Sequence, residues 1–276
     1  MKPSPTHPEI CRFGSVLAAL VVAFAWAAPA SAACGAAAGP VAVAEVTDRL
    51  EIRLADGRMA RLVGLDAPDP RRGDPQITTA ARGFLSGRLS GGDVTLVIFS
   101  PKPDRWGRLL ADLVPQDGES IAKQLISGGF ARVRPEFETR GCAVERLSAE
   151  AKARDAGLGL WNDPDYSILD ATDVEELAQQ DGRFVIVEGV VRRVGTGRAR
   201  FYLDFGGRGG FSVVVARKSQ NAFQAAGASL TGLAGEKIRV RGVLDDRFGP
   251  RLEITEPPML ERLGRGEAGE GTKPGG

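Results

Sequence analysis

Hydrophobic and polar residues alternate between positions 41 and 65, as expected for β-strands with one buried face. Leu50, Ile52 and Leu54 recur at every second position, and Asp56-Gly57 supplies a turn before the next alternating run. This pattern predicts a β-meander. Beyond it, apolar residues recur with either helical or strand periodicity. The predicted helices cover 76–90, 119–130 and 143–157, and the predicted strands cover 93–99 and 109–114.

A change in composition marks the start of a second region. Seven acidic residues and no basic residue lie between 163 and 181, which predicts an acidic linker or solvated cap over 164–182. Strand patterns resume in 183–263, and the glycine-rich stretch 264–276 is expected to be a disordered tail. The predicted strands are 184–194, 199–205, 211–215, 236–244 and 250–255, with a helix over 219–226. Three strands, a helix and two more strands form the order of an OB-type barrel.

Residues 1–32 have the form of a secretory signal peptide. Lys2 and Arg12 accompany an apolar run over 16–28, and Ala30-Ser31-Ala32 forms a small-residue cleavage site. The apolar run is short for a membrane span, which favours cleavage over the alternative of a retained anchor. We therefore expect a periplasmic or secreted protein with no membrane attachment after cleavage.

Loss of that segment would remove histidine chemistry, because the single histidine, His7, lies within it. Ser-His-Asp hydrolysis and His-ligated zinc are then excluded. Acid and base catalysis would fall to carboxylates, lysine or tyrosine. The predicted mature chain keeps 34 basic and 34 acidic residues, so it carries no net charge.

Two cysteines, Cys34 and Cys142, remain in the predicted mature chain. In an oxidising compartment such a pair favours a disulfide, and two free thiols are the alternative. Closing a loop of about 110 residues could add on the order of 4 kcal/mol of stability in the chain-entropy model.

Charged residues gather in two short motifs of the first region. One is Arg61 followed by the turn Asp66-Ala67-Pro68-Asp69, and the other is Asp104-Arg105-Trp106-Gly107-Arg108. Arginine and carboxylate at one rim suit phosphodiester chemistry without histidine, since guanidinium forks match phosphate geometry. These motifs, with the helical stretches 118–131 and 149–161 that follow, resemble the staphylococcal nuclease-like (thermonuclease) family over residues 41–163.

This resemblance implies an OB-type barrel with added helices and a calcium-assisted nuclease that cleaves DNA or RNA. Together with the strand order of 183–263, it predicts a mainly β chain with added helices, made of two OB-type five-stranded barrels. The roles that the resemblance implies are phosphate clamping by Arg61 and Arg108, calcium binding by Asp66 and the Ala67 carbonyl, and water orientation by Asp69.

The sequence departs from the family pattern at two positions. Where the family has Asp-Gly-Asp-Thr, this chain has Asp48-Arg49-Leu50-Glu51, so Leu50 replaces a metal-binding aspartate and the calcium site is expected to be weakened, with Asp48 still near the metal. Asp69 stands where the family has glutamate, which shortens the reach of that carboxylate by about 1.5 Å. Two hypotheses follow: a nuclease, of reduced activity, or a catalytically degenerate protein that acts as a nucleic-acid-binding or scaffold module.

Charge differs between the two regions. Residues 33–163 hold 18 basic and 18 acidic side chains, whereas residues 183–241 hold 11 basic and three acidic ones. Arg198, Arg200 and Tyr202 combine basic and aromatic groups on one predicted strand face, which is typical of single-strand binding by OB folds. The alternative is an ordinary exposed basic face.

Overall fold

The computed structural model describes Met1 and residues 34–265. Apart from Met1, the predicted signal peptide lies outside the described residues, as do residues 266–276 of the predicted tail. Residues 34–265 belong to one compact unit. Across the described part of the chain, no helix has the length and apolar character needed to cross a membrane.

The first region, residues 34–163, forms a β-sheet with helices added around it. Its strands are β1 (Ala36–Val41), β2 (Val43–Val46), β3 (Ile52–Leu54), β4 (Met59–Leu62), β5 (Leu65–Asp66), β6 (Val94–Ile98), β7 (Leu109–Val114) and β8 (Arg132–Val133), and its helices are α1 (Pro75–Leu89), α2 (Ile121–Ser127) and α3 (Ala143–Asp155). Six of the strands pair in the order β1-β6-β7-β4-β3-β2, in which β4 and β7 run parallel. β5 pairs separately with β8.

Local sequence explains where the helices begin and end. Asp74 caps α1 by accepting from the backbone N–H of Gln76, and Pro75 follows at the first helical position, where its missing N–H costs nothing. Ser120 caps α2 in the same way. Gly157 follows α3 with φ +61°, the left-handed conformation that commonly ends a helix. The three helices predicted from periodicity are all present.

The stretch 164–182 contains ordered elements and is therefore more than a linker, while its acidic side chains stay exposed, as expected for a solvated cap. It contains β9 (Leu169–Asp170), which pairs in parallel with a strand of the second region, and α4 (Val174–Ala178). Leu169 and Leu177 are buried in the second core. The acidic residues also serve α4, because Asp173 caps it and acidic groups stabilise a helix N-terminus.

The second region contains a sheet with the same strand order as the first. Its elements are β10 (Phe184–Val190), β11 (Arg193–Thr196), β12 (Arg200–Asp204), β13 (Ser212–Ala216), α5 (Gln220–Ala225), β14 (Glu236–Asp245), β15 (Arg251–Ile254) and β16 (Leu260–Arg265). The path β11-β12-β13-β15-β14-β10 repeats that of the first sheet, with β13 and β15 parallel. β9 extends one edge of the sheet, and β16 pairs with β14. The first two residues of the predicted disordered tail, 264 and 265, therefore belong to β16.

The chain is mainly β with added helices, as predicted, but the pairing closes neither sheet into a ring. In each sheet the two ends of the path are consecutive strands, β1 with β2 and β10 with β11. The backbone therefore joins the two ends, and no ladder of hydrogen bonds between the described residues does so. The OB-type assignment of the second region stays a prediction.

Each sheet encloses its own hydrophobic core. In the first region, Leu50, Ile52 and Leu54 are all buried, which agrees with their shared face in the sequence pattern. In the second, Phe201 and Leu203 of β12 point into the core while Arg200 and Tyr202, at the alternate positions, stay exposed. This alternation places the charged side chains of both regions on the outer faces of the sheets.

A disulfide joins Cys34, before β1, to Cys142, just before α3. The Cα atoms lie 5.5 Å apart, a usual separation for a disulfide, and 108 positions separate the cysteines in sequence. The bond therefore links the start of the first sheet to the helix that packs beside it.

Candidate functional site

Two arginines that are far apart in sequence meet at one pocket of the first region. Arg61 lies on β4 between the buried Ala60 and Leu62, so its side chain projects from the outer face. Arg108 follows Gly107, whose φ of +79° makes the tight turn before β7. Both side chains line a pocket of about 140 Å³. Arg49, Leu50, Glu51 and Ala67 share that pocket.

Arg61 is held by Glu136 in a two-pronged ion pair. Its Nη1 donates to Glu136 Oε1 at 3.1 Å and its Nη2 to Oε2 at 3.0 Å. Both side chains are about a quarter exposed. Such a fork fixes the guanidinium plane while its remaining N–H groups stay available for a second acceptor.

Arg108 is held by two carboxylates. Its Nε donates to Asp104 Oδ2 at 2.8 Å, and its Nη1 bonds Glu51. Burial alone would lower the pKa of Arg108, but the bonds to Asp104 and Glu51 outweigh it and raise the pKa. Burial would likewise raise the pKa of Asp104, yet the Arg108 bonds hold it below the usual range. The pair therefore stays charged throughout the neutral range.

Asp66, a predicted calcium ligand, lies beside the buried guanidinium of Arg132. Arg132 Nη2 donates to Asp66 Oδ2 at 2.7 Å and Nε donates to the same oxygen at 3.0 Å. Arg132 is only 1% exposed, and its other bonds go to the carbonyl oxygens of Tyr166 and Phe184. Asp66 thus neutralises a buried cation that also binds the backbone of the following region.

Asp69 and Asp48 also have arginine partners. The Asp69 carboxylate accepts hydrogen bonds from the backbone N–H and from the side chain of Arg71. Both bonds lower the pKa of Asp69, and the backbone bond contributes more. A lowered pKa makes Asp69 a weaker base. Asp48 Oδ1 accepts from Arg82 Nη1 at 2.6 Å. Neither carboxylate lines the arginine pocket.

The side chains that could bind calcium do not form a suitable set. Calcium takes six to eight oxygen ligands, and the predicted set supplies carboxylates only from Asp66 and Asp48, each already bound to an arginine. Leu50 occupies the position of the third carboxylate and is 5% exposed. Within residues 34–265, no three acidic, histidine or cysteine side chains gather as a metal-binding group. The predicted calcium site is therefore not assembled.

Three important residues were not recognised from the sequence. Glu51 follows the substituted Leu50, and its place at the end of the altered family motif was the one signal that could have identified it. Glu136 lies 75 positions from Arg61, so its role depends on the tertiary fold. Arg132 carried no signal, because a buried arginine is indistinguishable from a surface one in a single sequence.

Arg200 and Tyr202, two of the predicted nucleic-acid-binding residues, share the exposed face of β12, and their binding role stays a prediction. Arg200 lines a large cleft between the two regions, whereas neither Arg198 nor Tyr202 does. Two of the eleven basic residues of 183–241 are buried in ion pairs. Arg239 bonds Glu188 and Arg241 bonds Glu150, both well buried, so the second region has no continuous basic face built from them.

Comparison with known proteins finds relatives for the part of the chain that carries Arg61 and Arg108. Residues 59–163 match the family described as staphylococcal nuclease homologue. A protein named "Uncharacterized endonuclease" from Escherichia coli O157:H7 is 29% identical over 126 residues, 45% of this chain and 77% of that protein. An Escherichia coli protein of the same name matches equally. Residues 59–163 of this chain are therefore similar to staphylococcal nuclease homologues.

Proposed function

We propose that the chain hydrolyses phosphodiester bonds of DNA or RNA at the pocket between Arg61 and Arg108. The observation that carries this proposal is that both guanidinium groups, Ala67 and the carboxylate of Glu51 line the same pocket. The match to a nuclease family and the similarity to proteins named endonuclease support the substrate class. The pocket's size suits one phosphate group with its attacking water.

The chemistry assigned to the pocket is stabilisation of charge by fixed arginines. Hydrolysis adds a water to phosphorus and expels an alkoxide, and negative charge grows on the phosphoryl oxygens as it proceeds. Arg61 and Arg108 are already oriented by Glu136, Asp104 and Glu51, so they need little reorganisation as that charge develops. Glu51 is the carboxylate that faces the pocket, and we assign it the orientation of the attacking water.

Calcium assistance, expected from the family, is not included in this mechanism. The carboxylates that would bind it are paired with Arg132 and Arg82. We therefore expect hydrolysis that depends on the arginines and changes little on addition of Ca²⁺ or EDTA.

The decisive experiment is hydrolysis of a dinucleotide, because its single phosphate is the one group that the pocket has to hold. Arg61→Ala should lower the rate about 100-fold or more, by analogy with removal of a single oxyanion donor. Arg105→Ala is the matched control, because Arg105 lies on the adjacent exposed Trp106 outside the pocket. Equal activity of wild type, Arg61→Ala and Arg105→Ala would exclude catalysis at this pocket.

A second candidate function is nucleic-acid binding without turnover. The observation favouring it is that both pocket arginines are bonded to carboxylates of the same chain, with which a phosphate must compete. Binding of a labelled oligonucleotide that depends on Arg108, with no hydrolysis of any substrate, would favour this candidate over the enzyme.

Export of the chain is proposed from residues 1–32. The disulfide between Cys34 and Cys142 supports it, because such bonds persist in oxidising compartments. A fusion of residues 1–40 to a reporter that is active only after export tests it, and a reporter retained inside the cell would contradict it.

A further inference from the structure

A cleft of about 870 Å³ lies between the two regions and includes the catalytic arginines on one wall. Arg61, Arg108 and Leu110 belong to the first region and line this cleft. Val214, Arg251 and Glu253 of the second region line it too. The pocket proposed for hydrolysis is therefore one part of a longer groove that a second region completes.

Each wall of the cleft includes the parallel strand pair of its own region. β4 pairs in parallel with β7, with Arg61 opposite Leu110. β13 pairs in parallel with β15, with Val214 opposite Glu253. These are equivalent positions, because the flanking residues in both pairs point into their own cores. The two sheets thus present equivalent faces to one cleft.

One buried ion pair and two hydrogen bonds from buried arginines hold the two walls together. Arg241 of β14, which is fully buried, donates to Glu150 of α3 at 2.7 Å and to the carbonyl of Val133 at 3.0 Å. Arg132 reaches the carbonyl of Phe184 at 2.9 Å. Breaking such contacts would leave buried charges uncompensated, so the cleft is pre-formed rather than opened by its ligand.

The charges inside the cleft fall into two classes. Three arginines, Arg61, Arg108 and Arg251, are bonded to carboxylates. Among residues 34–265, Arg134 and Arg200 line the cleft without an ion pair, and they come from opposite regions. Glu138 and Glu253 also line it without an ion pair, again one from each region. The ligand must therefore offer anionic groups and hydrogen-bond donors together.

Aromatic surface completes the cleft. Trp106 is 64% exposed and Phe137 is 65% exposed, and both belong to the cleft lining. Large exposed aromatic rings beside arginines are the platforms on which unpaired bases stack. In a duplex the bases already stack on one another and their hydrogen-bonding edges are paired.

We propose, on the basis of the hydrolytic function above, that this cleft binds single-stranded nucleic acid whose bases carry amino groups. Arg134 and Arg200 contact phosphates on opposite walls. Bases stack on the parts of the Trp106 and Phe137 rings that the neighbouring arginines leave exposed. Glu138 and Glu253 accept hydrogen bonds from base amino groups, as carboxylates do from cytosine N4. The second region therefore selects the substrate that the first region cleaves.

Fluorescence anisotropy with labelled phosphorothioate oligonucleotides tests this proposal on the full chain. Oligo(dC) of about 12 nucleotides should bind at least about fivefold more tightly than oligo(dT), since thymine lacks the amino group. With two free arginines, log affinity should fall against log salt with a slope of about −1.4. Arg200→Ala should reduce that slope by about 0.7 and weaken binding several-fold.

The matched control is Arg208→Ala, an exposed arginine of the same region that lies outside the cleft. It should leave both affinity and salt slope unchanged, and Glu138→Ala with Glu253→Ala should abolish the preference for oligo(dC). Circular dichroism melting checks that each variant is folded. Equal effects of Arg200→Ala and Arg208→Ala, tighter binding of duplex than of single strands, or no preference for oligo(dC) would each overturn the proposal.

Dinucleotide hydrolysis separates this inference from the function on which it rests. A dinucleotide has a single phosphate, which the arginine pocket would hold, and no second phosphate for Arg200, so Arg200→Ala should cleave it as wild type does while cleaving the 12-nucleotide strand more slowly. If Arg61→Ala abolishes dinucleotide cleavage but Arg200→Ala has no effect on the longer strand, the cleft proposal fails and the nuclease stands. If neither the wild-type protein nor any variant cleaves the dinucleotide, the failure belongs to the nuclease proposal.

Discussion

The two regions share one strand order and differ in the side chains placed on it. At corresponding positions beside the parallel strand pair, the first region has Arg61 and Arg108, and the second has Val214 and Arg251. Both Arg108 and Arg251 bond a nearby aspartate, Asp104 and Asp245 respectively. The second region thus retains one arginine of the pair and lacks the other.

This difference shows that the strand order alone does not determine whether a sheet can bind a phosphoryl group. A single arginine can bind an anion, but two that converge from different strands are needed to surround a phosphoryl group as its charge grows. The first region also adds α2 and α3 around its sheet, and α3 supplies Glu150 to the contact with the second region. The second region instead adds β9 and β16 at its sheet.

The largest expected effect comes from breaking the contact between the regions. Arg241→Leu leaves the buried Glu150 without its partner, and we expect the free energy of unfolding to fall by about 3–5 kcal/mol. Urea denaturation measures it. Arg193→Leu, which removes an exposed pair with Asp204, is the control and should cost less than about 1 kcal/mol. Similar losses for both variants would contradict the role assigned to Arg241.

Reduction of the disulfide should have the next largest effect. Only the first region has such a bond among the described residues, and its loss should cost on the order of 4 kcal/mol. Denaturation with and without a reductant measures the difference. The variant with Cys34→Ser and Cys142→Ser should show the same low stability in both conditions, and an unchanged wild type in reductant would refute the prediction.

Alanine substitution of the corresponding arginines, Arg108 and Arg251, should have different effects on hydrolysis. Arg108→Ala should slow dinucleotide hydrolysis about 100-fold to 1,000-fold, because one fixed donor to the developing charge is lost. Arg251→Ala, at the corresponding position of the second region, should change that rate by less than about threefold. Equal losses would mean that both strand pairs contribute to the reacting phosphate.

The smallest effect should come from removing the carboxylate that pairs with Arg61. Glu136→Gln removes the charge that competes with phosphate for Arg61, and a partly exposed pair of this kind is worth up to about 1 kcal/mol. Affinity for an oligonucleotide should therefore rise by up to about fivefold. Glu45→Gln removes a comparable partner from Arg53 outside both cavities and should leave affinity unchanged. Weaker binding by Glu136→Gln would show that alignment of Arg61 by Glu136 outweighs its competition with phosphate.

Local patterns predicted most elements of the fold because they reflect local requirements. The helix caps at Asp74 and Ser120 and the alternation through Leu50, Ile52 and Leu54 are visible in a few neighbouring residues. β1 was missed because Ala36–Val41 carries little apolar alternation and is paired at the sheet edge with β6. The stretch 164–182 was mistaken for a linker because its acidic composition hides a few buried residues.

The candidate site was predicted only in part for a different reason. The motifs around Arg61 and Arg108 named the residues, and the fold brings both to one pocket. Their carboxylate partners could not be named, because Glu136 and Glu51 lie 75 and 57 positions away in sequence. The ion pair between Asp66 and the buried Arg132 could not be predicted from the motif, because Arg132 also bonds the backbone of Phe184 in the second region.

Leu50 limits how this chain could be redesigned. It is the one non-glycine residue with positive φ in the described chain, at +57°, and it is almost completely enclosed. Aspartate tolerates that backbone conformation better than leucine does, but a carboxylate introduced there would lose its hydration. A third metal-binding carboxylate at this position would therefore require remodelling of the surrounding loop, since Leu50→Asp alone would relieve the backbone but bury an isolated charge.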